Sequence, residues 1–417
     1  MSAAVPRTAP TLGELAPAGV DPVRDPDAVL AHLRRLGPVH RVHVPGSGDA
    51  WLVVGRDEAR AALTDPALRN DIRHSATWSH DGGNALGRNM LQTDPPDHTR
   101  LRSLVSRHFT PARIAALEPR VREIAEELAA ALPRRGTADL VADYALPLPV
   151  AVIGELLGVP GEDRAVLRDW SYQLLTPDSA EAAGAAMGAM GTYFAELLAR
   201  KRARPGDDLL SALAGPGGAA GPGGGDASGG GDALTADELL GMCFLLLVAG
   251  HETTVHLISG ALYALLCRPG ELAALRAEPS SVGRVVEETL RLHAPVTTTA
   301  FRFAAEATRI GGTVVGAGDS VLVSLAAVGR DPGRFAEPGR FDPGRFGPGG
   351  PGRGHLAFGH GVHHCLGAPL ARMEAGVALT VLAARRPAVR LAAGSGTLRW
   401  HASALTRGLA ELPVHLS

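Results

Sequence analysis

The stretch Phe358-Gly359-His360-Gly361-Val362-His363-His364-Cys365-Leu366-Gly367 decides the reading of this chain. It sets a cysteine just ahead of a run from Leu366 to about Arg385 whose apolar spacing predicts a helix. A cysteine at a helix start faces free backbone N–H groups and the positive end of the helix dipole, and both favour its thiolate. Gly361 and Gly367 permit tight turns and a close approach of backbone to a flat ligand. Two plainer readings compete. One is a small core residue, the commonest fate of a free cysteine. The other is zinc, since His355, His360, His363 and His364 crowd the loop. A structural zinc site normally uses paired ligands such as Cys-x-x-Cys, and the sequence has no such pair.

Upstream, Ala249-Gly250-His251-Glu252-Thr253-Thr254 interrupts a long apolar run. Thr235 and Glu238 have the spacing of a capping box, and the run continues to Leu266 before Arg268-Pro269-Gly270 stops it. Such a helix is about 48 Å long at the standard rise. Apolar on most faces, it should cross the middle of the protein. Ala249 and Thr253 share one face, as do Gly250 and Thr254. An acid beside an alcohol can relay protons. A threonine alone could simply cap or kink the helix, but Glu252 buried at mid-helix is costly without a partner or a task. Ser281 to Leu292 reads as another helix, on which Glu288 and Arg291, three apart, can pair.

Helical spacing also marks Pro111 to Leu132, Val150 to Leu157 and Ala165 to Leu175. Val42–Val44 and Trp51–Val54 read as strands around the turn Pro45-Gly46-Ser47-Gly48. Short strand-like runs with Gly turns follow Pro295, and Gly333 to Gly354 reads as irregular chain. The expectation is a mainly α fold with small β-sheets. Gly215 to Asp232 is mostly Gly, Ala and Pro. It is read as a surface insertion before the long helix, within a single domain spanning residues 1–417, because the motifs on its two sides belong together.

The bulk properties exclude several classes. Of 417 residues, 45% are hydrophobic and 20% charged, as in an ordinary globular protein. A net charge of −2 gives no strong field for nucleic acid or an anionic membrane. Basic residues are nearly all Arg, with Lys201 the one lysine. The N-terminal region shows no signal-peptide pattern, and the longest apolar stretch, Met242 to Ala249, is far too short to span a bilayer. Cys243, Cys267 and Cys365 fit a reducing compartment. A cytoplasmic protein is expected, with no membrane or nucleic-acid partner.

The loop around Cys365 resembles the cytochrome P450 motif Phe-x-x-Gly-x-His/Arg-x-Cys-x-Gly, with every constrained position filled. The resemblance implies a haem between the long central helix and the helix after the Cys loop. Cys365 would ligate its iron, Phe358 would pack near the sulfur and His363 would bind a propionate. A thiolate pushes electron density that favours O–O cleavage. The central segment is similar to the family's oxygen-activation motif, which implies Thr253 and Glu252 in proton delivery and Ala249 against the haem. Glu288 and Arg291 resemble the family's Glu-x-x-Arg pair, structural in role, with Arg345 as the third member. His98 and Arg102 look like the family's His-x-x-x-Arg on one propionate, and Arg302 matches another propionate arginine. Ala327-Val328-Gly329-Arg330-Asp331-Pro332 resembles Ala-Asn-Arg-Asp-Pro, with Gly329 where Asn is usual. The resemblance spans roughly residues 25–415.

What it implies chemically is a monooxygenase holding haem b. Electrons would come from NAD(P)H through a separate ferredoxin and ferredoxin reductase, and the enzyme would be a monomer. The product would be an alcohol or epoxide of a bulky natural-product intermediate such as a macrolide, polyketide or peptide. Oxidative coupling, or a non-catalytic haem sensor or scaffold, is the alternative; the intact Glu252-Thr253 pair argues against the sensor. Substrate contacts are expected from Leu91, Leu246, Val296, Thr297, Thr299 and Leu405. Ile72 to Leu91 is expected to act as a lid. The three threonines at 297–299 could equally well just suit a strand.

Overall fold

The computed structural model describes residues 9–23, 25–77, 87–175, 179–215, 233–350, 352, 354–392, 394 and 397–416. The central part of the expected lid and nearly all of the Gly-rich insertion lie outside them. The fold is mainly helical, with four small sheets among the described residues.

Its axis is the helix Ala236–Leu266. Thr235 caps it as the sequence predicts: its hydroxyl accepts from the Glu238 N–H at 3.2 Å, and the Glu238 carboxylate accepts from the Thr235 N–H at 2.8 Å. Leu, Ile, Val and Ala on most of its faces pack against Ala368–Arg385, Val282–Leu292 and Pro147–Leu157. This is also the one helix among the described residues long and apolar enough to cross a membrane. Its most apolar window is 72% buried within the protein, as befits a core helix.

Strand residues build a separate wall. Val39–Val44 and Gly48–Val53 form an antiparallel hairpin around the predicted turn. Ser320–Val323, Arg302–Ala304 and Leu68–Arg69 complete a five-stranded sheet. Gly136–Asp139, Pro413–Leu416 and Arg390–Leu391 form a second sheet. The hairpin Trp400–Ala402 and Arg407–Leu409 lies directly on the central helix.

Two boundaries differ from expectation. The last helix begins at Ala368, three residues after Cys365, because residues 361–363 first make a 3-10 turn. The helix carrying Glu288 starts at Val282, behind a 3-10 turn at Pro279–Ser281. A long helix, Ala180–Ala203, is absent from the sequence reading altogether.

Candidate functional site

The Cys365 loop is closed by its own backbone. Cys365 N–H donates to the Phe358 carbonyl at 2.9 Å, and His364 N–H donates to Gly361 at 3.1 Å. Gly361 has φ +76°, and a Cβ there would stand 2.8 Å from the Leu63 carbonyl oxygen, so glycine is required. Gly367 differs from expectation. Its φ of −79° suits any residue, and a Cβ would meet only the Cys365 sulfur, at 3.9 Å. The sulfur opens onto a cavity and is otherwise closely surrounded by protein. Burial pushes the thiol up, while hydrogen bonds from the Gly367 and Ala368 amides and the charge of Arg102 pull the other way. Those are the donors an anionic sulfur needs, although the helix proper starts later.

Behind the loop, the Arg372 guanidinium lies 4.5 Å from the centre of the Phe358 ring. Glu287 holds Arg372 through a 2.5 Å hydrogen bond and accepts another from His355 at 3.0 Å. Sequence reading missed this cluster, since Glu287 and Arg372 are 85 residues apart. It also takes His355 out of any zinc set. Among the described residues no group of His, Cys, Asp and Glu is arranged to hold a metal ion by itself.

The cavity faces Cys365 on one side and the central helix on the other. The centre of a water molecule can occupy 290 Å³ of it. Of the residues singled out in the sequence, Leu91, Arg102, Leu246, Ala249, Thr253, Val296, Thr299, Arg302, Phe358, His363, Cys365 and Gly367 line it; His98, Glu252, Thr297 and Leu405 do not. Thr253 hydroxyl donates to the Ala249 carbonyl at 3.0 Å. Gly250 serves packing as well as clearance: a Cβ there would come within 2.9 Å of Ile153. Glu252 points to the side, where burial raises its pKa.

One end of the cavity gathers basic groups. The His98 and His363 rings lie 4.3 Å apart. Burial first, then His98, Arg302 and Arg102, pulls the His363 pKa down to about 3. The nearest carboxylate to His363 is Asp94, at 4.0 Å. Both His98 ring nitrogens, His363 Nε2 and Arg302 Nε are buried without a hydrogen-bond partner. Four buried polar atoms left so are costly, and a carboxylate-bearing ligand would offer an acceptor to each of them that carries a proton. Arg102 lies at the same end of the cavity and has a second contact. It donates to the His364 carbonyl at 2.6 Å and so braces the Cys loop.

The expected ionic lock is present and wholly buried. Arg291 donates to Glu288 at 2.6 and 2.7 Å and to the carbonyls of Gly329, Pro338 and Arg340. Arg345 completes the trio 3.5 Å from Glu288. Gly329 is explained here: a Cβ would lie 2.3 Å from the Arg291 carbonyl oxygen.

Of the threonines at 297–299, only Thr299 lines the cavity, and none lies in a strand. The Thr297 and Thr298 hydroxyls donate to the carbonyls of Leu405 and Ala404, and the Thr299 hydroxyl accepts from Val323 N–H at 3.2 Å. Leu405 takes the Thr297 hydroxyl on its carbonyl and lies outside the wall, while Thr299 keeps its O–H free at the cavity.

A thiolate loop facing a long helix across an apolar cavity, with orphaned basic groups at one end, defines a haem-thiolate protein. Comparison agrees. Residues 225–384 match the family model described as Cytochrome P450. The chain is 46% identical to cytochrome P450 monooxygenase PikC of Streptomyces venezuelae, over 97% of this chain and 94% of that one. It is 42% identical to 6-deoxyerythronolide B hydroxylase of Saccharopolyspora erythraea, over 93% and 95%. The structure of the tirandamycin C-bound P450 monooxygenase TamI superposes with a TM-score of 0.85 at 42% identity, covering 95% of this chain and 99% of that one. The chain belongs to the cytochrome P450 family. It is a monooxygenase that uses haem b and takes its electrons from NAD(P)H through redox partners.

Proposed function

We propose that this enzyme hydroxylates or epoxidises a bulky natural-product intermediate of the macrolide or polyketide class. The observation that carries this is the wall above Cys365. Leu91, Leu245, Leu246, Ala249 and Val296 make it apolar, with few hydroxyls such as that of Thr299 among them. Such a wall selects by shape and apolar area, with few polar anchors. The names of the relatives agree: a 6-deoxyerythronolide B hydroxylase and a mycinamicin IV hydroxylase/epoxidase, the latter 40% identical.

In this reading Cys365 would ligate the haem iron, and His98, Arg102, His363 and Arg302 would hold the propionates, which would supply acceptors for the buried N–H groups that lack them. When bound, haem supplies dioxygen activation and the transfer of one oxygen atom to the substrate. The chain's own contribution is position and proton control. Arg102 and the Gly361 turn fix the Cys loop, and the Gly367 and Ala368 amides hold the sulfur's charge. Thr253, freed from the Ala249 carbonyl, presents a hydroxyl to the cavity. Glu252, whose pKa burial raises, restores that hydroxyl's proton. The apolar wall keeps bulk water from the reacting face.

The electron donors in this reading are a ferredoxin and its reductase, the enzyme is a cytoplasmic monomer, and the whole chain is one catalytic domain. Support for the last point is that the central helix, after the Gly-rich segment, packs on Pro147–Leu157, before it. The test is a spectral-shift screen of a natural-product library, followed by turnover with ferredoxin and reductase. Macrolide or polyketide lactones should shift the resting spectrum and gain one oxygen in mass. Shifts confined to small planar or fatty-acid ligands would refute the assignment.

A further inference from the structure

Glu252 has an unusual set of neighbours. Among the described residues no Arg or Lys lies within ion-pair distance of it; two histidines flank it instead. His251 Nε2 is 3.9 Å from Oε2, and His256 Nε2 is 3.5 Å from Oε1. His251 spends Nδ1 on the Leu247 carbonyl at 2.8 Å. Nδ1 must therefore carry the proton, and Nε2 presents a lone pair to the carboxyl. That arrangement favours the acid form of Glu252.

His256 is different. It is almost fully buried, and its Nδ1 has no hydrogen-bond partner. The ring lies over Gly408, where a Cβ would come within 1.8 Å of Nδ1, so only glycine admits it. Gly408 pairs across its hairpin with His401. His401 is half-buried, and its ring lies 6.0 Å from that of Tyr172, a residue exposed at the surface. Glu252 directly precedes cavity-lining Thr253 in the chain, His256 lies 3.5 Å from the Glu252 carboxyl, and the strand pairing sets His401 opposite the glycine on which the His256 ring rests.

We propose that His256 is the positioning residue through which Glu252 is reprotonated, with His401 as the outward end of the route. This rests on the reading of Glu252 as the proton donor to Thr253. A proton from the His401 side binds Nδ1 of His256 and makes an imidazolium beside the Glu252 carboxylate. The Nε2 proton then passes to Oε1, leaving a neutral imidazole and a carboxylic acid. The ring is then the Nδ1–H tautomer, and it returns to the Nε2–H form by proton exchange, Nδ1 releasing its proton toward the His401 side and Nε2 taking one from water, before the next turnover. The groups facing this route are few. On the central helix they are Glu252 and His251. On the hairpin they are His401 and Arg407, the latter stacked on Trp400. From Arg164–Leu175 come Tyr172 against His401 and Arg168, whose charge reaches His251. Burial, then the charges of His401 and His251, pulls the His256 pKa down to about 4, so the cationic form is transient, as a relay requires.

The experiment uses the resting, haem-loaded enzyme and the variants E252Q, H256N, H256L and H401A. Infrared spectroscopy follows the protonated-carboxyl band of Glu252, identified by its loss in E252Q, against pH. Coupling of NAD(P)H use to product, and its solvent isotope effect, are measured on the same samples. Asn keeps a donor toward Oε1 but relays nothing; Leu keeps neither. H256N and H256L should each lower coupling about tenfold and raise the isotope effect. Only H256L should raise the band's pH midpoint, by about one unit. H401A should lower coupling several-fold with unchanged thermal stability. Wild-type coupling and isotope effect in H256N would overturn the relay, and wild-type coupling in H401A would overturn its outward end. E252Q separates the two readings. If E252Q uncouples while H256N does not, the relay alone is wrong; if E252Q stays coupled, the role given to Glu252 is wrong.

Discussion

Arg372 places its guanidinium 4.5 Å from the centre of the ring of Phe358, which opens the Cys loop. A cation over an aromatic face is attracted by the ring quadrupole. Here Glu287 keeps the cation in place, and His355 shares the same carboxylate. The loop that carries Cys365 is therefore clamped from behind by a small charged cluster, and the clamp has a pH dependence.

Burial alone would raise the Glu287 pKa, but hydrogen bonds from His355 and Arg372 outweigh it and hold the carboxyl at about 2. A depressed acid stabilises the fold above its unfolded value, near 4.5, and that contribution fades as pH falls toward 2. E287Q should therefore cost on the order of 1–3 kcal/mol at pH 7. The gap to the wild type should begin to close only below about pH 4.5. Urea unfolding at several pH values measures it, and a gap that widens on acidification would contradict the clamp.

At Gly329 the argument is steric. Any Cβ would press on the Arg291 carbonyl oxygen at 2.3 Å, and the Arg291 side chain in turn hydrogen-bonds the Gly329 carbonyl at 2.8 Å. Neither backbone segment can yield without disturbing the buried Glu288–Arg291 pair. G329A should destabilise by about 1–3 kcal/mol, read by thermal or urea unfolding. A neutral or stabilising result would mean the approach is looser than described.

Thr253 lines the cavity with its hydroxyl on the Ala249 carbonyl, and the proposed relay runs through it. T253A removes the hydroxyl but leaves the apolar wall intact, so substrate should still produce its spectral shift. Coupling should fall about tenfold, with the lost reducing equivalents appearing as hydrogen peroxide. Peroxide and product assays on one sample decide this; unchanged coupling would remove Thr253 from the relay.

Local signals read well in the sequence. The Thr235 cap, the central helix, the turn at residues 45–48 and the order of motifs around Cys365 rest on spacing along the chain, and the structure repeats them. What was not legible falls into two kinds. Ala180–Ala203 is so rich in Ala and Gly that its apolar and polar faces barely contrast, although Ser179 caps it. The other kind depends on contacts distant in sequence. Nothing near Thr297 announces that Leu405 will take its hydroxyl, and nothing near His256 announces Gly408. The pairing of Glu287 with Arg372 belongs here too. His98 and Arg102 show what spacing leaves out: both lie on Asp97–Ser106, but nothing in the motif announces that His98 will lie against His363 or that Arg102 will also reach the His364 carbonyl.

The central claim is that the Cys365 sulfur, as an anion, is the iron's axial ligand. The reduced carbon-monoxide difference spectrum tests it most directly. The wild type should show the long-wavelength Soret band of thiolate ligation, and C365H should bind haem without it. Persistence of that band in C365H, or its absence from haem-loaded wild-type protein, would contradict the account.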